Sequence, residues 1–238
     1  MMTPYTKEHK ASQIETNTAK RWDGRRAILF SGGNLGDWAL AEVNPGDYLI
    51  GADRGALFLL QNGLKPDLSV GDFDSVTPEE LALVRAGSAS YEECDPVHKD
   101  LTDTEMAMER AFELNPPPAE ILLFGALGTR FDHSLANVHL LLNALNRGIH
   151  ARIIDKHNEL IVLAAGQTAT IRRGRFTHVS LLPLTLQVAG ITLAGFQYPL
   201  FDAELTMGQS LGISNVLEDE IGTVTTKSGL ILIIQSAD

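Results

Sequence analysis

At 238 residues, with 44% hydrophobic and 21% charged side chains, the chain falls in the globular range and can bury a substantial core in one large domain or two modest ones. A formal net charge of -11 excludes the basic footprint with which proteins neutralise nucleic-acid phosphates, and the single cysteine, Cys94, excludes an intramolecular disulfide and a cysteine-based zinc site. Apolar runs such as Ala27–Phe30, Ile121–Phe124 and Leu230–Ile234 are strand-sized, far short of the roughly 20 residues that cross a bilayer, so no membrane span is expected and a reducing, cytoplasmic compartment fits best. Met1 to about Arg25 is polar, lacks the apolar stretch of a secretory signal and reads as a loose tail (1–25).

From 26 to 155 short apolar runs alternate with amphipathic stretches, the pattern of an open, mostly parallel sheet with flanking helices. Ala27–Phe30 opens it as a buried strand and is followed by the turn-forming run Ser31-Gly32-Gly33-Asn34. Tyr48–Gly51 is the second strand and leads through Asp53 into a helix. Leu68–Val70 is the third, ending in Gly71-Asp72-Phe73-Asp74-Ser75, and Pro78 marks the first turn of the next helix. Thr102 with Glu105 reads as a capping box for a helix that Pro116-Pro117-Pro118 stops. Ile121–Phe124 is a further strand, Asp132 to Arg147 a helix closed by Gly148, and Ala151–Ile154 the last strand of this part. Beyond Lys156 the period changes to short strand-like runs at Thr168–Ile171, His178–Leu182, Ile191–Leu193, Val224–Thr226 and Leu230–Ile234. This predicts an all-β domain of sandwich or barrel type over 156–238.

In an open parallel sheet ligands bind beyond the carboxyl ends of the strands, and Asp53, Asp72, Asp74, Asp100 and Asp132 all fall at or near strand-to-helix junctions. In extended geometry Asp72 and Asp74 point to one side while Phe73 turns away, which offers two hard oxygen ligands to magnesium. Asp100 and Asp103 form a second pair at a helix start. Asp53, Asp103 and Asp132 are also ordinary turn and cap residues. Gly32-Gly33-Asn34 offers backbone N–H groups to phosphate. No P-loop or dinucleotide fingerprint is present, so ATP must be held another way. Arg54 and Arg130 each stand beside a junction acid, as phosphate partners or as structural partners of that acid. His133 reads either as a general base or as a packing residue. Magnesium-dependent transfer of a phosphoryl-type group fits this set; a magnesium-dependent nucleotide or phosphoester hydrolase and a non-catalytic nucleotide sensor are the alternatives.

Ala52-Asp53-Arg54-Gly55, Pro66 through Ser75, Lys99-Asp100-Leu101-Thr102-Asp103-Thr104-Glu105 and Gly128-Thr129-Arg130-Phe131-Asp132-His133 resemble, in order and spacing, the thiamine pyrophosphokinase family. The resemblance runs from about Ala27 to the C-terminus, more loosely in the second half, where Gly212-Ile213-Ser214-Asn215 carries it. It implies transfer of the pyrophosphoryl group of ATP to thiamine, giving thiamine diphosphate and AMP. It also implies a homodimer whose active site lies between the α/β domain of one subunit and the β-sandwich of the other. Asp72, Asp74 and Asp100 would hold magnesium and the triphosphate, with Asp103 close by. Arg130 and Asp132 would line the nucleotide site, and Ser214 and Asn215 would contact thiamine. The chain departs from the family at Thr129, often Gly, and at Arg54, where many members have Gly.

Overall fold

The computed structural model describes residues 23–94 and 100–238; the expected N-terminal tail lies almost wholly outside them, as does Lys99. In chain order the first half contains β1 (Arg26–Phe30), α1 (Asp37–Leu40), β2 (Tyr48–Ala52), α2 (Arg54–Gln61), β3 (Leu68–Gly71), α3 (Pro78–Gly87), β4 (Tyr91–Glu93), α4 (Asp103–Phe112), β5 (Glu120–Phe124), α5 (Phe131–Asn146) and β6 (His150–Ile154). These six strands pair in parallel in the order β6-β5-β1-β2-β3-β4. The central β1 and β5 are buried on both faces, which is why they read as unbroken apolar runs instead of alternating ones. Local capping sets the helix starts. Thr77 and Glu80 form a reciprocal capping box ahead of α3, and the Thr102 hydroxyl accepts from the Glu105 N–H ahead of α4.

The second half contains β7 (Asn158–Ala164), β8 (Thr168–Arg172), β9 (His178–Pro183), β10 (Gln187–Ala194), β11 (Leu200–Thr206), β12 (Asn215–Val216), β13 (Ile221–Thr225) and β14 (Leu230–Ser236), with no helix among the described residues. Its strands make two layers. β11-β10-β13-β8 form a separate antiparallel sheet, whereas β7, β14, β9 and β12 extend the parallel sheet, because β7 turns back antiparallel along β6 with Ile153 opposite Leu160. One sheet of ten strands therefore runs from β4 at one edge to β12 at the other. β14 shows how it serves both halves. Ile231 and Ile233 face the small sheet in a core with Val188, Ile191 and Val224, while Leu232 turns to the opposite core with Leu140, Leu141 and Leu160. No helix among the described residues is long and apolar enough to cross a membrane.

Candidate active site

The carboxyl ends of β1, β2, β3 and β5 open onto one cavity of about 770 Å³, the size of a ligand pocket and placed where an open parallel sheet puts one. Asp53, Asp72, Asp74, Asp100, Asp103 and Arg130 all line it, so side chains spread over nearly eighty positions of sequence share one space. Parallel strands produce this, since each crossover returns the chain to the same end of the sheet.

The Asp72–Asp74 pair reaches the cavity by a different geometry from the extended one expected. Gly71 has φ 147 and Phe73 has φ 53, so the chain turns sharply, and the Asp74 N–H donates to Asp72 Oδ1 at 3.2 Å. Both acids still line the cavity, because the turn buries Phe73 to 3% exposure and leaves its neighbours outside the core. Gly71 also permits a close approach: a Cβ there would lie 3.3 Å from Asp103 Oδ1 and from the Asp53 N–H nitrogen.

Asp53 precedes α2 with φ 51. Its Oδ2 accepts the Ser75 hydroxyl, while Oδ1 is buried without a hydrogen-bond partner. Burial pushes the Asp53 carboxyl above the usual carboxylate range; the nearby negative charges of Asp103 and Asp74 add to this, and the bonds from Ser75 and the Arg54 N–H oppose it. An orphaned carboxylate oxygen among like charges is a place where a cation lowers the energy. Among the described residues no three acids already cluster as a metal cage. Magnesium does not require one, since it keeps several waters and is usually held through one or two carboxylates plus substrate phosphates. The oxygen donor set and the orphaned oxygen fit such an ion.

Arg130 pairs with Asp132 at 2.6 Å at the mouth of the cavity, and this guanidinium holds the Asp132 carboxyl below its usual range. Asp132 itself is outside the lining. So is Arg54, which is exposed and donates to the Ser75 carbonyl at 3.4 Å. Asn34 is also outside it; of the run Gly32-Gly33-Asn34 expected to offer N–H groups to phosphate, Gly32 and Gly33 line the cavity, and the N–H groups of Gly33 and Asn34 are bonded within the protein. The Gly33 N–H donates to the Gly125 carbonyl and the Asn34 N–H to the Leu127 carbonyl, joining the β1 and β5 loops. Ser214 and Asn215 lie in the second half, away from this cavity. Ser214 is exposed with φ 58. Asn215 is buried and braces the chain: its amide donates to the Tyr198 carbonyl, and its oxygen accepts from the N–H groups of Tyr198 and Val216.

The cavity floor was not singled out from sequence. Ser31 and Thr104, joined by a 3.0 Å hydrogen bond, line it, as does Asn137, whose amide donates to the Ala126 carbonyl. The available signals were that Ser31 directly follows a buried strand and that Thr104 stands beside Asp103. His133 lines the cavity as well and is exposed.

Residues 41–153 match the family model for the thiamin pyrophosphokinase catalytic domain, and residues 168–231 match that for the thiamin pyrophosphokinase vitamin B1 binding domain. A thiamine pyrophosphokinase from Bacillus subtilis is 33% identical over 189 residues, covering 79% of this chain and 87% of that protein. The crystal structure of thiamine pyrophosphokinase from the same species superimposes with a TM-score of 0.82 at 32% identity, over 90% of this chain and 100% of that one. The crystal structure of thiamin pyrophosphokinase from Geobacillus thermodenitrificans gives 0.78 at 34% identity, over 90% and 98%. With its strand-end acids in one cavity and both family domains matched in order, the chain belongs to the thiamin pyrophosphokinase family.

Proposed function

We infer that this chain transfers the pyrophosphoryl group of ATP to thiamine, giving thiamine diphosphate and AMP, with Asp72, Asp74 and Asp100 holding a magnesium ion at the triphosphate. The observation that carries the reading is that five carboxylates and Arg130, from separate strand-end loops, line one cavity. Transfer at phosphorus needs positioning and charge neutralisation more than covalent catalysis, and this residue set supplies both. The hydroxyethyl oxygen of thiamine bonds to the β-phosphorus, the bond from that phosphorus to the α–β bridging oxygen breaks, and AMP leaves. A cavity carboxylate takes the hydroxyl proton. Bound magnesium would neutralise charge that develops on the phosphate oxygens. Arg130, fixed by Asp132, faces the nucleotide, Asp103 supports the metal ligands, and Ser31 and Thr104 offer hydroxyls from the floor.

The same proposal divides the chain into a nucleotide-binding catalytic part at 26–155 and a thiamine-binding and dimerisation part at 156–238. It places Ser214 and Asn215 against thiamine in a homodimer. Exposed Leu186, Tyr198, Phe201 and Leu211 in the second half support an interface there. A cytoplasmic location belongs to it too, supported by the single cysteine.

The test is to incubate the purified chain with ATP, magnesium and thiamine and to identify the nucleotide and thiamine products. AMP that forms only when thiamine is present, in equal amount with thiamine diphosphate, is expected. Phosphate release independent of thiamine would instead make the site a hydrolase.

A further inference from the structure

β4 is the shortest of the six parallel strands and lies at the sheet's edge, yet each of its three side chains is engaged. Tyr91 stacks on Phe73 with ring centroids 5.1 Å apart and planes 23° from parallel. Glu92 pairs with Arg110 of α4, whose guanidinium this contact holds more firmly protonated than usual. Glu93 pairs with Arg85 of α3 and accepts the Tyr91 hydroxyl at 2.9 Å. The Arg85 guanidinium also lies over the Tyr91 ring, 5.3 Å from its centroid. Alternate residues of the strand thus tie it to α3 from one face and to α4 from the other.

These ties converge on the acid-bearing turn. Phe73 adopts φ 53, a conformation that a bulky residue keeps only when its surroundings fix it. Its ring is enclosed with Ala56, Leu57 and Val84, and Tyr91 packs against the same cluster. The next residue after β4, Cys94, donates its N–H to the Gly71 carbonyl at the start of the turn. Tyr91 itself is not part of the cavity lining.

We propose that Tyr91 is a positioning residue for the metal site: by stacking on Phe73 it holds the turn that presents Asp72 and Asp74. This rests on the reading above, in which those carboxylates hold the divalent cation. A merely structural side chain would change how much protein folds; a positioning one changes how tightly the folded protein takes up the ion.

The test uses the full chain as wild type, Tyr91→Leu, Tyr91→Phe and Asp72→Asn. Mn²⁺ is titrated in the presence of α,β-methylene ATP, free Mn²⁺ is read by electron paramagnetic resonance, and turnover is measured against Mg²⁺. Tyr91→Leu is expected to weaken Mn²⁺ binding and raise the half-saturating Mg²⁺ by roughly tenfold, with kcat at saturating Mg²⁺ within about twofold of wild type. Tyr91→Phe keeps the stacked ring and is expected to stay within about twofold on both measures. Tyr91→Met, whose unbranched side chain fills irregular gaps more adaptably, carries the same expectation as Tyr91→Leu if the latter fails to fold. Unchanged Mn²⁺ affinity in a folded leucine or methionine variant, alongside lost affinity in Asp72→Asn, would overturn the role of Tyr91 alone. Unchanged affinity in Asp72→Asn would overturn the metal-site reading and this proposal with it.

Discussion

Replacing Gly33 by alanine separates two uses of the loop after β1. If its backbone N–H groups cradle phosphate, a methyl group should chiefly harm ATP binding; if they join the β1 and β5 loops, it should chiefly harm stability. The observed bonds favour the second, with Gly33 N–H to the Gly125 carbonyl at 2.8 Å and Asn34 N–H to the Leu127 carbonyl at 3.1 Å. A Cβ on Gly33 would lie 2.4 Å from the Gly125 oxygen and 2.6 Å from the Leu127 oxygen, both backbone atoms that no rotamer change can move aside. The loops must separate, stretching both hydrogen bonds. Overpacking of this kind costs about 1–3 kcal/mol, and weakening two hydrogen bonds adds about 1–2 kcal/mol, so a loss of about 2–5 kcal/mol is expected. For a chain of this length that lowers the melting temperature by about 4–20 °C. Thermal melts of the unliganded protein, followed by circular dichroism, measure it. A Gly33→Ala protein that melts within about 2 °C of wild type but no longer binds ATP would refute the reasoning and restore the phosphate cradle.

Asp72→Asn and Asp74→Asn should each cut turnover by roughly a hundredfold or more. Their unliganded melting temperature should stay level or rise, because each removes a negative charge from a cavity crowded with them. Steady-state assays and melts on the same preparations check both signs. Asp53→Asn should raise the unliganded melting temperature near neutral pH and lose that advantage as the pH falls. The sign follows from the raised carboxyl pKa. The stability that protonated Asp53 contributes is full below the unfolded carboxylate pKa and is lost as the pH rises through the higher folded value, so above it the ionised group is a net cost. Melts from acid to neutral pH test this; a parallel offset between the two proteins at every pH would count against it.

Much of this molecule is legible in its sequence because buried parallel strands announce themselves. β1, β2, β3, β5 and β6 are apolar runs between punctuation residues, and Thr102 caps a helix where the sequence places it, with its hydroxyl accepting from the Glu105 N–H. β7 was missed because its apolar run, Leu160–Ala164, lies just past the point where the period changes, and a strand that closes one layer and opens another carries no mark of either. β4 was missed because Tyr-Glu-Glu is not apolar; ion pairs and a ring stack hold it in place of burial. The acids were legible as a set because each falls between the end of a strand and the first turn of the helix that follows. Asn34 and Arg54 fall outside the cavity lining because a strand end fixes where the chain is, but not which way the next side chain points or whether its N–H is already bonded.

The order of strands bears on the proposed dimer. Ser214 and Asn215 sit at β12, one edge of the ten-stranded sheet, and Asp72 and Asp74 follow β3, next to the other. Eight strand intervals separate β12 from β3, about 38 Å along the sheet at ordinary spacing. No single thiamine spans that. If Ser214 contacts the thiamine that Asp72 and Asp74 act upon, a second copy must supply it, and each site is built from two chains. Mixing then gives a decisive readout. Asp72→Asn spoils the acid half of a site, and Ser214→Lys sets a like charge against cationic thiamine in the other half. Each pure variant should be nearly inactive. Denatured together in equal amounts and refolded, half of the dimers should be mixed, and each mixed dimer should carry one site with both halves intact, restoring about one quarter of wild-type turnover. Restoration to that level requires the shared site. A mixture as inactive as its parents, with mixed dimers verified by mass, would mean that each chain builds its own site and that Ser214 acts elsewhere.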